Sequence, residues 1–306
     1  MDARITKQRL ANMLSYDWLK ILGAIALAAV FFCMFFVMIA TRATDGQTFY
    51  VYAYDGLDAG RDFNLLENSL LDKKVFGYDI LNTGSEAFKS GGMYGNSVFT
   101  ARRSAGEGRV MFVSDVRTTD ENGKENSTLL GFMDYAGEER ESFGLFLDPE
   151  KFLADCKTYL SGFFGEDLSA EEPDAGKVRE TFMARNAKDK RFRSAAKKEE
   201  GVAEERKRVK KLKEDYLTVA QAVGDTLSYV SYTTEIKTHV IGFSMNALNL
   251  TPLVYYTVED EEEGVTVQSN KDVALCIFDN GTREGDLKYE TVNFLAYLLK
   301  TYGTAQ

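Results

Sequence analysis

The sequence is poor in histidine, cysteine and proline, and each shortage excludes a class of protein. The single histidine, His239, excludes histidine-rich zinc sites, and the three cysteines do not form paired zinc-binding spacings. Because Cys33 lies in an apolar run, only Cys156 and Cys276 remain for one pairing. A disulfide framework is therefore excluded, and buried free thiols are the expected state, with one bridge as the alternative. Three prolines argue against a proline-rich stalk.

Motifs for nucleophilic catalysis and nucleotide binding are also missing. The chain has no Gly-x-Ser-x-Gly elbow and no phosphate-binding loop. Gly106-x-Gly108 begins like a dinucleotide fingerprint, but Met111 takes the place of the third glycine and a strand follows instead of a helix. We therefore expect no catalytic residue, metal or cofactor, and we interpret His239 as structural. A hydrolase with a carboxylate pair is the lesser alternative.

One long apolar run is present, from Ile21 to Ala40, and it contains no charged residue. A helix of this length spans roughly 30 Å, the thickness of a bilayer core, so the run predicts one transmembrane helix. A signal peptide cleaved after Ala40 or Ala43 is the alternative, although such peptides have shorter apolar regions. The predicted membrane-anchor residues are Trp18, Ile21, Phe31, Phe36 and Ala40.

Flanking charges predict the orientation of this helix, since Lys and Arg are retained in the cytoplasm. Arg4, Lys7, Arg9 and Lys20 precede it, whereas Arg42 alone follows it before residue 60. The predicted order is a cytoplasmic juxtamembrane helix (1–20), the transmembrane helix (21–40), a short linker (41–48) and an extracytoplasmic domain (49–306). We therefore expect a single-pass cell-membrane protein whose domain lies outside, with the lipid bilayer as its first partner.

The remaining chain alternates between strand and helix patterns, which predicts an α/β fold. Asp148 and Pro149 are typical of a helix start, with an N-cap followed by proline at the first helical position, and this helix is expected to reach about Phe164. Phe63 to Leu71 and about Leu287 to Tyr302 are also predicted helices. The predicted strands are Phe49–Tyr54, Val75–Leu81, Val110–Val116, Leu253–Val258, Val265–Val267 and Val273–Phe278. The acidic run 259–263 favours a solvated hairpin loop over a calcium site.

A basic helical segment from 174 to 230 interrupts this pattern. Between Lys177 and Glu214 there are fifteen Lys and Arg against seven Asp and Glu, although the whole chain has a net charge of −10. An apolar stripe from Val209 to Val230 predicts a helix, and Gly201 is expected to separate it from the helix before. The segment is interpreted as a solvated helical face or as a contact for anionic lipids or polymers; nucleic acid is not an expected partner. The candidate contacts for an anionic surface are Arg191, Arg193, Lys197, Lys198, Lys207, Arg208, Lys210 and Lys211.

The external region resembles the type 2 extracellular solute-binding proteins, two-lobed α/β receptors that deliver ligands to bacterial transporters. The resemblance consists of the strand Phe49–Tyr54, a helix, a second strand ending near Gly84-Ser85, the passage Ala105–Ser114 and the late helix Tyr289–Leu298. In that passage Arg109 replaces the family's aspartate, and the proline is absent. The resemblance implies a two-lobed fold, here reduced because about 260 residues is short for two complete lobes. No ligand-binding residue can be carried over.

These observations together predict a non-enzymatic, membrane-tethered domain. It is expected to bind a small solute, or to act as an accessory subunit of a transporter permease or another envelope complex. The alternative is a structural or interaction protein that lacks a ligand cleft and uses its basic helices as a contact surface.

Overall fold

The computed structural model describes residues 7–8, 18–39, 43–89, 95–121, 123, 125–137, 145–187, 189–233, 238–259 and 265–303. The chain divides into two compact units, Met1–Arg42 and Ala43–Gln306. The predicted anchor residue Ala40 and most of the acidic run 259–263 lie outside the described residues. Because the chain from Ala43 onward forms one unit, the two-lobed arrangement that the resemblance implies is not confirmed.

The first unit contains helix α1 (Trp18–Ile39), which is long and apolar enough to cross a membrane. The side chains of Trp18, Phe31 and Phe36 are exposed along it, whereas Ile21 is half-buried. An anchor and a signal sequence share these properties. The sequence therefore predicted the helix correctly.

The second unit is a mixed α/β domain, as the sequence predicted. Its helices are α2 (Arg61–Asn64), α3 (Leu66–Asp72), α4 (Gly95–Ser104), α5 (Thr128–Gly137), α6 (Pro149–Phe164), α7 (Ala175–Arg185), α8 (Ala195–Ala222) and α9 (Glu290–Tyr302). Its strands are β1 (Thr48–Ala53), β2 (Asp58–Ala59), β3 (Asn82–Ala87), β4 (Val110–Ser114), β5 (Thr118–Thr119), β6 (Glu125–Asn126), β7 (Ser228–Thr233), β8 (Thr238–Ser244), β9 (Val254–Glu259), β10 (Thr266–Ser269) and β11 (Val273–Ile277). Short 3-10 helices cover Asp45–Gln47, Lys190–Phe192, Gly281–Arg283 and Gly285–Tyr289.

A six-stranded sheet with the order β3-β1-β4-β11-β8-β7 organises the domain. Strands β3, β1 and β4 run parallel, whereas β11, β8 and β7 continue the sheet in antiparallel pairs. Two smaller sheets accompany it, one with the order β10-β9-β2 and one formed by the β5–β6 hairpin. The central strands β4 and β11 are fully buried, which explains their continuous apolar sequences.

Side chains of the central strands alternate between two hydrophobic cores on opposite faces of the sheet. In β1, Phe49, Val51 and Ala53 face the larger core, while Tyr52 faces the smaller one. Buried side chains of α3, α6, α8 and α9 fill the larger core, and those of α4 and α5 fill the smaller one. Helices therefore cover both faces of the sheet, as expected for parallel strands.

Helix α6 begins as the sequence predicted. The Asp148 carboxylate accepts hydrogen bonds from the backbone N–H groups of Glu150, at 2.9 Å, and Lys151, at 3.2 Å. These bonds satisfy helix-terminal donors, and Pro149 lacks the N–H group that would otherwise need an acceptor. The predicted end at Phe164 is also confirmed.

The predicted strand Val75–Leu81 and the predicted end of the long apolar stripe are wrong. Val75–Leu81 is irregular with a turn at Tyr78 and Asp79, and the strand beside β1 is the more polar Asn82–Ala87. The stripe that predicted helix up to Val230 ends earlier, because α8 stops at Ala222 and Val230 lies in β7. Gly224, with φ of +98°, lies at this change from helix to strand.

The expectation that Gly201 separates two helices is also wrong. Gly201 lies inside α8, buried where α7 packs against it. A Cβ atom at Gly201 would lie 2.3 Å from Cζ of Phe182 and 2.9 Å from Cδ1 of Phe192. The glycine therefore permits close packing of two aromatic rings and is not a helix break.

Substituting Gly201 by alanine is expected to destabilise the domain despite alanine's higher helix propensity. The added methyl group overpacks the Phe182 ring, so the free energy of unfolding should fall by about 1–3 kcal/mol in urea denaturation. Gly162→Ala in α6 is the matched control, because its Cβ would have no neighbour within 4 Å. The control should gain about 0.5–1 kcal/mol. Equal gains in both variants would contradict the packing argument.

Candidate functional site

The ends of the parallel strands bring polar residues together at one edge of the large sheet, which we call the carboxyl edge. Asp115 follows β4 there, and Val273 begins β11 opposite Ser114. Ser244 ends β8 and pairs with Ser228 at the start of β7. The antiparallel strands thus place their own polar termini beside the carboxyl end of β4.

The winding of the chain reverses within the parallel part of the sheet. The connection from β1 to β3 packs into the larger core through Phe63 of α2, and the connection from β3 to β4 packs into the smaller core through Phe99 of α4. Strands β3 and β4 lie on opposite sides of β1, so the winding reverses at β1 and β4. In open α/β sheets ligands bind outside the carboxyl ends of strands at such a reversal.

A cavity of about 250 Å³ lies at the ends of β4, β11, β8 and β7, on the side of β4 away from β1. Its polar lining includes Asp115, Arg117, Ser228, Ser244 and Asp272. A second cavity, of about 270 Å³, shares Arg117 and Ser231 with the first and extends toward α5. We call these two adjoining cavities the carboxyl-edge groove.

Arg117 and Asp115 are fixed at the centre of the groove by the β5–β6 hairpin. The Arg117 Nη2 group donates to Asp115 Oδ2 at 3.2 Å, and its Nη1 group donates to Glu125 Oε2 at 2.9 Å. The Ser127 hydroxyl donates to Asp115 Oδ1 at 2.8 Å. The Asp115 side chain is only 13% exposed, so its carboxylate lies at depth and not on the open surface.

Asp272 is held next to Asp115 by backbone and side-chain bonds. The Asp115 N–H donates to the Asp272 carbonyl at 2.7 Å, and the Asn246 amide donates to Asp272 Oδ1 at 3.0 Å. The Asp272 N–H donates in turn to the Asn246 side-chain oxygen. Asp272 adopts φ of +56°, a conformation that aspartate tolerates better than most residues.

The second cavity combines carboxylates with an aromatic ring. It is lined by Glu125, Leu130, Asp134 and Tyr232 in addition to the shared residues. The Tyr232 hydroxyl donates to Asp134 Oδ1 at 2.7 Å, and this hydrogen bond raises the pKa of Tyr232. The groove therefore carries several carboxylates, one guanidinium group, hydroxyl groups and tyrosine rings.

Sequence reasoning missed every residue of this groove. Asp115 lies near the end of the predicted strand Val110–Val116, so its position close to a strand end was a usable signal, and β4 ends one residue before it. Ser228 and Ser231 carried no such signal, because the apolar stripe predicted helix where β7 lies. The single histidine, His239, lies on β8 opposite Tyr232.

Most of the predicted anionic-surface contacts bind carboxylates of this chain. Lys197 pairs with Glu200, Lys207 with Glu204, Lys210 with Glu172 and Lys211 with Asp215, and Arg191 pairs with Asp79 and Asp189. Arg193 is exposed and Lys198 is half-buried. The assignment of Arg208 to the surface is wrong, since its side chain is fully buried.

Arg208 belongs to a buried ionic network between α7, α8 and α9. Its Nη2 group donates to Asp286 Oδ2 at 2.8 Å, and its guanidinium also approaches Glu205 at 3.5 Å and Glu290 at 3.4 Å. Arg185 bonds Asp286, Asp79 and Glu205 on the other side of the network. The other charged members of this network around Arg208 are therefore Arg185, Arg191, Asp79, Asp189, Glu205, Asp286 and Glu290.

This network predicts a specific pH dependence of stability. Burial alone would raise the pKa of Asp286, but Arg208 and Arg185 outweigh it and lower the pKa from 3.8 to about 2. Because the folded-state pKa lies below the unfolded value, the stabilisation is present above about pH 4 and is lost as pH falls toward 2. We expect about 2 kcal/mol of unfolding free energy to disappear in this window.

Asp286→Asn should remove this contribution and flatten the pH dependence between pH 4 and 2. Urea unfolding at a series of pH values measures the effect. Asp58→Asn, which changes an exposed carboxylate outside the network, serves as the control and should keep the wild-type slope. An unchanged slope in Asp286→Asn would show that other carboxylates cause the acid sensitivity.

Comparison of the chain with protein-family models, curated proteins and solved structures finds no match.

Proposed function

We propose that this protein is a membrane-anchored binding protein whose domain takes up a small polar solute in the carboxyl-edge groove. The observation that carries the proposal is the position of the groove at the carboxyl end of β4, one of the two strands at which the winding reverses. Open α/β sheets bind ligands outside the carboxyl ends of strands at such a reversal. The proposal concerns binding and not catalysis. The proposed role is the one that the resemblance to solute-binding proteins implies: a receptor, or an accessory subunit of a transporter.

The lining of the groove supports a polar ligand. Asp115, Arg117, Asp272 and the serine hydroxyls supply both hydrogen-bond donors and acceptors around a small volume. Convergent polar groups in a concave site are typical of positions that orient a ligand. The groove is smaller than the 300–1,000 Å³ typical of sites for drug-sized molecules, so each cavity suits a smaller solute.

The buried ionic network and the basic helices give less support to the two alternatives, a hydrolase and an interaction protein. Glu205, Asp79 and Glu290 are buried carboxylates, but arginine guanidinium groups contact each of them. These carboxylates are therefore engaged in ion pairs within the domain. The basic helices likewise offer little unpaired charge for a partner, because several of their exposed lysines contact glutamates of the same chain.

Solute binding can be tested on the full chain purified in detergent. A thermal-shift screen with individual amino acids, amines, sugars, organic acids and nucleosides should find at least one compound that raises the unfolding temperature in a saturable manner. Ser228→Trp, which places a large ring in the first cavity, should abolish that shift. Gln268→Trp on the exposed strand β10 is the control and should leave it unchanged. A screen without any saturable shift would contradict the proposal.

Anchoring can be tested separately in membranes. The full chain should remain in the membrane pellet after alkaline extraction, and its intact mass should include residues 1–40. Phe31→Arg combined with Phe32→Arg should release it, since each central arginine costs about 2.5–3.5 kcal/mol of insertion free energy. An intact mass that corresponds to a chain starting after Ala40 or Ala43 would instead identify a cleaved signal peptide.

A further inference from the structure

We infer that the carboxyl-edge groove selects a small organic cation, an aliphatic amine that is protonated at neutral pH. This inference rests on the proposed function and specifies the chemical class of its ligand. Two observations carry it. The first is the set of charges that line the first cavity, and the second is that Arg117 already contacts Asp115 and Glu125.

Charge in the first cavity is unbalanced. Asp115 and Asp272 contribute two carboxylates to the lining, and Arg117 is the only cationic residue among the described residues that line it. Arg117 also contacts a third carboxylate, Glu125, at 2.9 Å. Its one positive charge is thus shared between Asp115 and Glu125, and the first cavity keeps a net negative lining.

Asp272 is stabilised by a neutral group. The Asn246 amide donates to its Oδ1 atom at 3.0 Å, which supplies a hydrogen bond but no positive charge. Backbone bonding holds Asp272 beside Asp115, whose side chain is only 13% exposed. A charge at the depth of Asp115 is screened by salt less than a surface charge, so an ammonium group there gains more from this carboxylate.

Hydroxyl groups complete the lining in a form that suits an ammonium group. Ser228, Ser231 and Ser244 surround the cavity, and a serine oxygen can accept a hydrogen bond. An ammonium group has three N–H donors and no acceptor, so it requires acceptors on several sides. An anionic solute would instead face carboxylates, and a neutral solute would leave the negative lining uncompensated.

The second cavity gives the ligand room to extend. It continues from Arg117 and Ser231 toward Tyr232, and it adds the carboxylates of Glu125 and Asp134 to the lining. A linear amine with its ammonium group at Asp115 and Asp272 can therefore direct its aliphatic chain, or a second amino group, into the second cavity. Tyrosine rings also attract organic cations.

A series of four-carbon compounds tests the inference, because they share a length and differ in charge. Diaminobutane is the cationic probe, butanediol the neutral one and succinate the anionic one. Isothermal titration of the full chain in detergent should give saturable binding for diaminobutane alone. The affinity should fall at least about threefold when the salt concentration rises from about 0.05 to 0.5 M, since the interaction is electrostatic.

Two substitutions locate the binding. Asp115→Asn and Asp272→Asn should each weaken diaminobutane binding by about tenfold or more, because each removes a carboxylate that lines the first cavity. Asp115 also accepts bonds from Arg117 and Ser127, so the circular dichroism spectrum of each variant must match the wild type. Asp272→Asn provides an independent test if Asp115→Asn does not fold. Asp58→Asn, outside the groove, should retain wild-type affinity.

The outcomes separate this inference from the proposed function. If butanediol or succinate binds as tightly as diaminobutane and Ser228→Trp blocks that binding, the groove binds solutes but the inference of a cation is overturned. If diaminobutane binds equally well to both groove variants, the amine site lies elsewhere and the inference is overturned. If none of the three probes binds, the inference is also overturned, and the wider thermal-shift screen decides whether the groove binds any solute.

Discussion

Arg208→Met is expected to lower the unfolding free energy of the domain by about 3–5 kcal/mol, the cost of breaking a buried ion pair by removing one partner. The Arg208 side chain is fully buried, and its guanidinium contacts Glu205, Asp286 and Glu290. Methionine fills much of the same volume but leaves Glu290 as a buried carboxylate without its arginine. Urea unfolding of the full chain, followed by near-ultraviolet circular dichroism, measures the loss.

The adjacent residue offers a matched control. Lys207 lies on the same helix and is 72% exposed, and it pairs with Glu204 at the surface. Lys207→Met should change stability by no more than about 0.5 kcal/mol. Adding Glu290→Gln to Arg208→Met should recover part of the loss, because it removes the uncompensated charge. If the double variant is no more stable than Arg208→Met, lost packing and not charge explains the effect.

Arg109→Asp is expected to be equally severe or worse, because it places two carboxylates in one buried site. Arg109 forms a buried ion pair with Glu284, and its Nη2 group donates to the carbonyl oxygens of Gly46, at 3.2 Å, and Thr48, at 3.1 Å. The substitution removes these bonds and brings like charges together, so a loss of at least about 3–5 kcal/mol is expected.

Exchange of the two charges tests this explanation. Arg109→Asp combined with Glu284→Arg should be more stable than Arg109→Asp alone, although the two backbone bonds are not restored. Arg179→Met is the control, since Arg179 is 51% exposed and forms a surface pair with Glu199. It should lose no more than about 1 kcal/mol. Failure of the exchange to recover any stability would show that the backbone bonds of Arg109 dominate its contribution.

Arg109 differs from the residue of the solute-binding family at this position, and it forms a buried ion pair. In the passage that resembles the solute-binding proteins, Arg109 occupies the position of that family's aspartate. In the structure its positive charge is paired with Glu284, from a distant part of the chain. No local sequence pattern could have indicated that pairing.

Elements with strong local signals were predicted well. Helix α6 has its cap and its proline within consecutive residues, and the buried strands β4 and β11 have unbroken apolar sequences. Elements whose identity depends on their neighbours were not. Strand β3 is a polar segment, and it forms a strand because β1 offers a parallel partner along all six of its residues.

In the basic segment, the sequence likewise could not predict which charged residues are buried. The sequence correctly indicated a long helix with an apolar stripe, and α8 buries Val209, Leu212, Tyr216 and Val219 of that stripe. It could not distinguish the exposed Lys207 from the buried Arg208, which are consecutive and both basic. Only the packing of α7 and α9 against α8 determines which cation meets buried carboxylates.

The sequence by itself determined the apolar N-terminal helix and the α/β class. It favoured free thiols at Cys156 and Cys276 but left a bridge open, and in the structure both are unbridged and buried. Each depends on composition or on a short period along the chain. The tertiary structure alone decided the groove, because Asp115 and Asp272 are far apart in sequence and meet only where β4 pairs with β11. A binding site formed by strand ends depends on strand order, and local sequence does not encode that order.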